Sequence, residues 1–218
     1  IKKQKPLPVI SDDEKLFELP NGWEWVRFGL LFKSFSNGLY KPSKFYTDKG
    51  VISLRMYNIQ SGEVDFSAAR RVELNTNELE QFLLEENDLL INRVNSKELV
   101  GKTAIIPAFQ ESLVYESMNM RAKPFKNYIS ARYLNLFMMS QLAKNSISSF
   151  AKEAIGQASI NQGQVSSIKT PFPPLAEQHR IVKKVDELIT LCDQLKASLN
   201  DIQHTQLLLA DTIVESSF

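Results

Sequence analysis

The sequence predicts an α+β fold, in which a mixed globular domain of short strands and helices precedes one long C-terminal coiled-coil helix. Up to residue 172, short β-rich runs alternate with turn signals such as Asn37-Gly38 and Ser61-Gly62. From Gln178 onward there is no glycine or proline, and apolar residues recur in a seven-residue pattern. We therefore predict a linker over residues 1–18, the mixed domain over 19–172 and the long helix over 173–218.

Within the mixed domain, the predicted elements are short. Apolar and β-branched runs predict strands at residues 25–28, 51–54, 89–94 and 103–106. A first helix is predicted over residues 77–84. A second is predicted to begin after Ser130, which is placed to cap it, and to run through residue 143 with one apolar side.

The long helix carries a predicted coiled-coil seam. Its a and d positions keep an alternating spacing of four and three residues, whereas the apolar pattern of an ordinary surface helix drifts. Such a stripe needs a partner helix, and no other segment of the sequence carries a matching heptad, so another chain is expected to supply it. The predicted oligomerisation residues are Ile181, Val185, Leu188, Cys192, Leu195, Leu199, Ile202, Gln206, Leu209 and Ile213.

Composition excludes several classes of protein. Hydrophobic residues make up 43% and charged residues 23%, which is ordinary for a soluble globular chain. No run approaches the ~18 apolar residues of a membrane span. The single cysteine cannot form an internal disulfide, and two histidines alone cannot build a zinc site. We expect a cytoplasmic protein with no membrane contact, metal or cofactor.

The charges are unevenly distributed along the chain. Residues 91–172 carry ten lysines and arginines against four acidic residues, although the net charge of the whole chain is only +1. A basic block of this kind suits one face turned toward an anionic partner, or lysines scattered over a solvated surface. No phosphate-binding loop, dinucleotide turn or catalytic triad is evident, and no catalytic residue is predicted.

Three polar stretches have the composition of DNA-reading loops, with donors and acceptors for base edges and lysines or arginines for phosphates. They lie at residues 34–44, 93–102 and 156–164, and an ordinary surface connection is the alternative interpretation of each. Arg93 and Asn95 suit base edges, whereas Lys97 and Lys102 suit phosphates. The predicted DNA-binding residues are Asn37, Tyr40, Lys41, Lys44, Arg93, Asn95, Ser96, Lys97, Lys102, Gln157, Ser159 and Asn161.

Five motifs follow one another along the chain. The first, LPNGWEWVRF at residues 19–28, resembles the start of a target recognition domain in the specificity (S) subunits of type I restriction-modification enzymes. ENDLLI at 86–91 resembles its GDxLI strand, with Asn87 where glycine is usual, and GKTA follows at 101–104. GQASIN at 156–161 and PPLAEQHRIV at 173–182 are similar to its GSAQxNI loop and its entry into a long helix.

The resemblance implies a non-catalytic subunit that reads one half of a bipartite site on double-stranded DNA. Modification methyltransferase (M) subunits would dock on it and restriction (R) subunits would join, so that S-adenosylmethionine and ATP bind those partners. A full S subunit has two recognition domains and two antiparallel long helices, so this chain corresponds to one half.

We expect such a half to pair with itself through its heptad helix. The alternatives are a coiled-coil scaffold that no longer binds DNA and a stand-alone DNA-binding protein that acts without a methyltransferase.

Overall fold

The structure, a computed structural model, describes residues 7–154 and 156–215. The chain divides into two compact units between Gln178 and His179. The first unit mixes short strands and helices, and the second belongs to one long helix. This arrangement confirms the predicted α+β fold with a long C-terminal helix, while the predicted domain limits stay predictions.

The described helices and strands are short except at the C-terminal end. The helices are α1 (Thr76–Phe82), α2 (Ala131–Met139), α3 (Gln141–Phe150), α4 (Gln162–Ser167) and α5 (Leu175–Glu215). The strands are β1 (Glu24–Arg27), β2 (Phe32–Asn37), β3 (Tyr46–Thr47), β4 (Val51–Leu54), β5 (Ile59–Gln60), β6 (Glu63–Val64), β7 (Arg70–Val72), β8 (Leu89–Asn92), β9 (Val94–Asn95), β10 (Thr103–Ile105), β11 (Leu113–Tyr115), β12 (Asn119–Pro124), β13 (Lys152–Ala154), β14 (Gln157–Ser159) and β15 (Lys169–Phe172).

Two four-stranded sheets form the body of the first unit. Their strand orders are β10-β8-β12-β2 and β11-β4-β7-β3. A three-stranded sheet, β13-β14-β9, and the pairs β1-β15 and β5-β6 complete the described sheets. The paired strands are antiparallel except β4 and β11, which run parallel with Leu54 opposite Tyr115.

Both four-stranded sheets contribute to one hydrophobic core. Leu90 and Ala104 from the first sheet pack in the same cluster as Leu54 and Tyr115 from the second. Each of these side chains is fully buried. Burying a large apolar side chain contributes about 1.5–3 kcal/mol, so the shared core fixes the two sheets to each other.

The observed elements differ from the predicted ones where tertiary contacts decide. The strand at 51–54 is confirmed, but the predicted strand 89–94 is interrupted at Arg93, because the buried amide of Asn92 donates to the carbonyls of Val94 and Met118. Ser130 caps α2 as predicted. The helix predicted through residue 143 instead ends at Ser140, whose hydroxyl caps the next helix.

All three stretches predicted as loops contain regular structure. Residues 32–37 form β2, the edge strand next to β12, so the stretch 34–44 is a strand up to Asn37. The stretch 93–102 holds β9, and the stretch 156–164 holds β14 and the start of α4. Each of these strands pairs with a strand distant in the chain, and local composition does not reveal such pairing.

Candidate nucleic-acid interface

The parallel pair β4 and β11 places two charged residues side by side. Arg55 directly follows β4, and Glu116 directly follows β11. Because parallel strands end at the same edge of a sheet, these two residues lie side by side. The Nε atom of Arg55 lies 3.9 Å from Oε1 of Glu116. This edge is the starting point of the candidate site.

The segment after β2 runs along the same edge. Leu39 forms a parallel bridge with Glu116, and the backbone N–H of Ser117 donates to the carbonyl of Leu39 at 2.8 Å. Gly38 is required at this crossing, because a Cβ there would collide with the carbonyl oxygen of Glu116. The glycine of the predicted Asn37-Gly38 turn therefore allows two backbone segments to approach each other closely.

The other two predicted stretches meet at this edge as well. Strand β9 pairs with β14, with Asn95 opposite Ala158, and the N–H of Ile160 donates to the carbonyl of Arg93 at 2.9 Å. The side chain of Gln162 donates to Oδ1 of Asn37 at 3.0 Å. We name the surface formed by residues 37–40, 55–57, 93–96, 116–118 and 157–162 the strand-end surface.

A chain of buried amides anchors the strand-end surface to the core. Asn92 and Asn119 are fully buried and bonded to each other at 3.1 Å, and Asn119 donates to the carbonyl of Leu54. Asn95 donates to Oδ1 of Asn92 at 2.8 Å, and its own Oδ1 accepts the N–H of Ser96. Both ends of the Asn95 amide are thus engaged, so this side chain positions β9.

Two concavities mark this surface. A groove of about 270 Å³ is lined by residues that include Arg55, Tyr57, Asn95, Ser96, Glu116, Met118 and Gln157. A cavity of about 450 Å³ shares Tyr57 and Asn95 with the groove and is also lined by Lys102, Lys144, Met138 and Ile147. The exposed Tyr57 thus lines both concavities.

The two arginines of the strand-end surface are partly engaged by the protein. The guanidinium of Arg55 lies 5.5 Å from the ring centroid of Tyr57, and Arg93 donates through Nη1 to the carbonyl of Ser117. The Nε atoms of both arginines are buried without a hydrogen-bond acceptor among the described residues. A buried donor without an acceptor is costly, so each of these two Nε atoms destabilises the fold locally.

Burial shapes the titration of the neighbouring groups. It raises the pKa of Glu116, against the lowering effects of the Tyr46 hydroxyl and of Arg55. The pKa of Tyr46 is raised to about 12, mainly by burial and secondarily by the charge of Glu116. Burial also lowers the pKa of Lys102. The edge thus holds a carboxylate that is partly removed from water, and the adjoining cavity holds an ammonium in the same condition.

The structure brings most of the predicted DNA-binding residues together, and they remain a prediction in that role. Those within the strand-end surface are Asn37, Tyr40, Arg93, Asn95, Ser96, Gln157, Ser159 and Asn161. Asn161 caps α4 by accepting the N–H of Gln164, so only its amide nitrogen is left for other contacts.

Four predicted lysines lie outside this surface. The Nζ of Lys41 is 2.6 Å from Glu78 and 4.4 Å from the ring centroid of Phe45, so a phosphate would have to displace Glu78. Lys44 lies 5.2 Å from the same ring centroid and is exposed. Lys97 is exposed, and Lys102 lines the cavity of about 450 Å³.

Sequence reasoning missed Arg55, Tyr57 and Glu116. The only signal was a predicted strand over residues 51–54 followed directly by an arginine. Its parallel pairing with residues 113–115 has no local signature, so nothing in the sequence placed Glu116 next to Arg55.

The predicted seam lies on one continuous helix, α5. Leu188, Cys192, Leu195, Leu199, Ile202, Gln206 and Leu209 are exposed, and Leu195 and Leu199 are 65% and 58% exposed. Ile181 and Val185 are half-buried, and the side chain of Ile213 lies outside those described. The seam residues therefore form a largely exposed stripe along one helix.

Within residues 7–154 and 156–215, no group of three or more His, Cys, Asp or Glu side chains is placed to hold a metal ion. No described helix is both long and apolar enough to cross a membrane.

The fold and the site define a class of α+β domain that gathers polar side chains at one sheet edge and continues into a long heptad helix. The family described as the type I restriction modification DNA specificity domain matches residues 20–204, and the chain belongs to this family. The resemblance seen in the five sequence motifs is thereby confirmed.

Individual relatives support this assignment. The chain is 33% identical over 226 residues to the type I restriction enzyme EcoAI specificity subunit of Escherichia coli, covering 100% of this chain and 37% of the relative. It is 31% identical over 223 residues to the EcoEI specificity subunit of Escherichia coli, with the same coverage of 100% and 37%. The chain thus spans little more than a third of the length of these curated relatives.

The fold is also similar to a solved structure. The crystal structure of the HsdS subunit from Thermoanaerobacter tengcongensis matches with a TM-score of 0.68 at 17% identity, covering 90% of this chain and 49% of that one. At this level of identity the match supports the fold.

Replacing Arg55 by alanine should raise the pKa of Glu116 further above its ordinary value, because burial already raises it and Arg55 opposes that rise. An acid whose folded-state pKa is raised stabilises the fold at low pH, and this contribution is lost as the pH rises through the folded-state pKa. NMR titration of the Glu116 side-chain carboxyl measures the shift.

The control is Arg71→Ala, which removes the partner of the exposed Glu111, 2.7 Å away, and should leave Glu116 unchanged. A Glu116 pKa that falls or does not move in Arg55→Ala would contradict the electrostatic description of this edge.

Proposed function

We propose that this chain is a DNA recognition unit of a type I restriction-modification complex. It reads one half of a bipartite site on double-stranded DNA and docks modification methyltransferase subunits, which carry the chemistry with S-adenosylmethionine. Restriction subunits join through the complex and use ATP. The observation that carries the proposal is the convergence of three polar stretches, distant in the chain, on the strand-end surface next to Arg55 and Arg93.

The chemistry of the strand-end surface suits the reading of base edges. Arginine, glutamine and asparagine side chains match the donor and acceptor patterns of the DNA major groove. The exposed amide of Gln157 has no hydrogen-bond partner among the described residues, so it is available for direct readout. Arg55 and Arg93 are half-buried and add positive charge to this surface.

Contacts to the DNA backbone would come from groups at the rim. Lys44 is exposed and has no ion-pair partner among the described residues. The ring of Tyr40, 82% exposed, lies on the segment next to it. Phosphate contacts of this kind fix the register on the duplex without reading sequence.

The buried amide chain contributes rigidity. Asn92 and Asn119 tie β9 to the carbonyl of Leu54 inside the core, so the reading side chains are held before DNA arrives. Holding a surface in its bound geometry lowers the ordering cost of binding. Asn92 and Asn119 are therefore positioning residues for the strand-end surface.

Gln157→Ala should relax discrimination at one base pair by about 1–3 kcal/mol, because one amide contact to a base edge is lost. Lys44→Ala should instead weaken binding to all sequences and lower the salt slope by about 1. Selection from a randomised duplex library, followed by affinity measurements over a range of salt concentrations, separates the two effects.

Gln110→Ala is the matched control, because Gln110 is an exposed glutamine in the loop before β11, at the other end of the parallel pair from Glu116. If the unaltered protein enriched no sequence from the library, that result would contradict DNA reading and favour a coiled-coil scaffold. Equal behaviour of Gln157→Ala and Gln110→Ala would remove Gln157 from the reading surface.

We also propose that α5 pairs with α5 of a second copy, which brings two recognition units together. The seam leaves leucines more than half exposed on a single helix. Burial of each leucine against a partner contributes about 1.5–3 kcal/mol. A polar Gln206 at one a position would help to fix the register of such a pair.

Leu195→Asp together with Leu199→Asp should convert a two-chain assembly into single chains, because it places two charges in the seam. Light scattering at tens of micromolar measures the mass. The control pair, Leu207→Asp and Leu208→Asp, changes equally exposed leucines at b and c positions beside the seam and should leave the mass unchanged. A single-chain mass for the unaltered protein would contradict self-pairing.

A further inference from the structure

Residues 7–18, which the sequence predicts as part of a linker, are held against the rest of the first unit. The Arg27 side chain donates to both carboxylate oxygens of Glu14, at 2.7 and 2.9 Å, and to the carbonyls of Pro8 and Ser167. Lys169 donates to the carbonyl of Glu14 at 2.8 Å. Ile10, which belongs to this segment, is buried. A nearly buried arginine with this many acceptors is a strong local anchor.

The anchored segment forms one wall of a shallow groove of about 740 Å³. Its aromatic residues are Phe17, Trp23 and Trp25, and the rings of Phe17 and Trp25 meet edge to face at 4.9 Å between centroids. The indole N–H of Trp25 is already satisfied by the carbonyl of Phe17. Phe17 nevertheless remains 51% exposed. We name this feature the arm groove.

The arm groove is acidic. Asp12, Glu18 and Glu24 line it and are exposed. Lys15, which also lines it, is paired with Asp12 at 2.5 Å. Glu18 and Glu24 have no ion-pair partner among the described residues. A groove of this charge repels DNA phosphates, in contrast to the arginine-bearing strand-end surface.

Its composition points to a protein partner. In the arm groove Phe17 is exposed, while Trp23 and Trp25 are half-buried. Aromatic side chains are enriched at protein–protein interfaces, and a few of them supply much of the binding energy. Lysine and arginine side chains pack their stems against aromatic rings and place their charges over ring faces or against carboxylates. The arm groove offers both kinds of contact within one concavity.

We propose that the arm groove docks a basic segment of the methyltransferase subunit, an inference that rests on the function proposed above. Lysine or arginine heads of that segment pair with Glu18 and Glu24, while their stems lie on Phe17 and the two tryptophans. None of these residues belongs to the strand-end surface. One unit therefore binds DNA and its enzyme partner through separate sets of residues.

The test uses the full chain and its cognate methyltransferase subunit, with affinity measured by calorimetry. Glu18→Lys together with Glu24→Lys should weaken that binding at least about tenfold at low salt and leave the selected DNA sequence unchanged. Phe17→Ala, which alters no charge, should weaken the binding at every salt concentration. Circular dichroism checks that each variant is folded.

The matched control is Glu80→Lys together with Glu86→Lys, which makes the same charge change at exposed acids outside the arm groove. Equal loss in the groove and control pairs would overturn docking at this groove, as would unchanged binding in both the groove pair and Phe17→Ala. In those cases the proposed function stands. Failure of the methyltransferase subunit to bind the unaltered chain would overturn both proposals.

Discussion

The parallel pairing of two short strands, residues 51–54 and 113–115, is the constraint on which the candidate site depends. It brings two strand ends to one edge, where Arg55 and Glu116 become neighbours. The bridge from Glu116 to Leu39 then draws in the segment after β2, and the buried Asn119 joins Leu54 to Asn92 and so to β9. Without that pairing, the polar stretches would have no common platform, whatever their composition.

The first unit separates two kinds of surface by charge and side-chain type. At the sheet edge, amides and arginines surround a small groove, which suits the donors and acceptors of base edges. Around the anchored segment at residues 7–18, carboxylates surround the exposed ring of Phe17 and two half-buried tryptophans, which suits a basic protein segment.

Much of the fold was predictable because local patterns set it. The strand at 51–54, the Ser130 cap and the long helix follow from β-rich runs, capping chemistry and heptad spacing. Asn87, in the place where the family motif has glycine, adopts a positive φ of 67°, a conformation that asparagine tolerates better than most residues. The site was predictable only in part. Arg55 and Glu116 come together through pairing between segments about sixty residues apart, and the engagement of Asn95 and Asn161 in internal hydrogen bonds depends on neighbours that composition does not reveal.

The most direct test of the central claim, that this chain reads DNA for a methyltransferase and does so as a pair, is a map of adenine methylation. The chain is produced together with its cognate methyltransferase subunit in a cell without other adenine methylation, and modified sites are sequenced across the genome. The account predicts one bipartite motif whose two halves are identical and oppositely oriented, because two copies of one recognition unit read them. Absence of methylation, or methylation without a shared motif, would contradict the claim that the chain directs the enzyme, and an asymmetric motif would contradict the pairing of identical units.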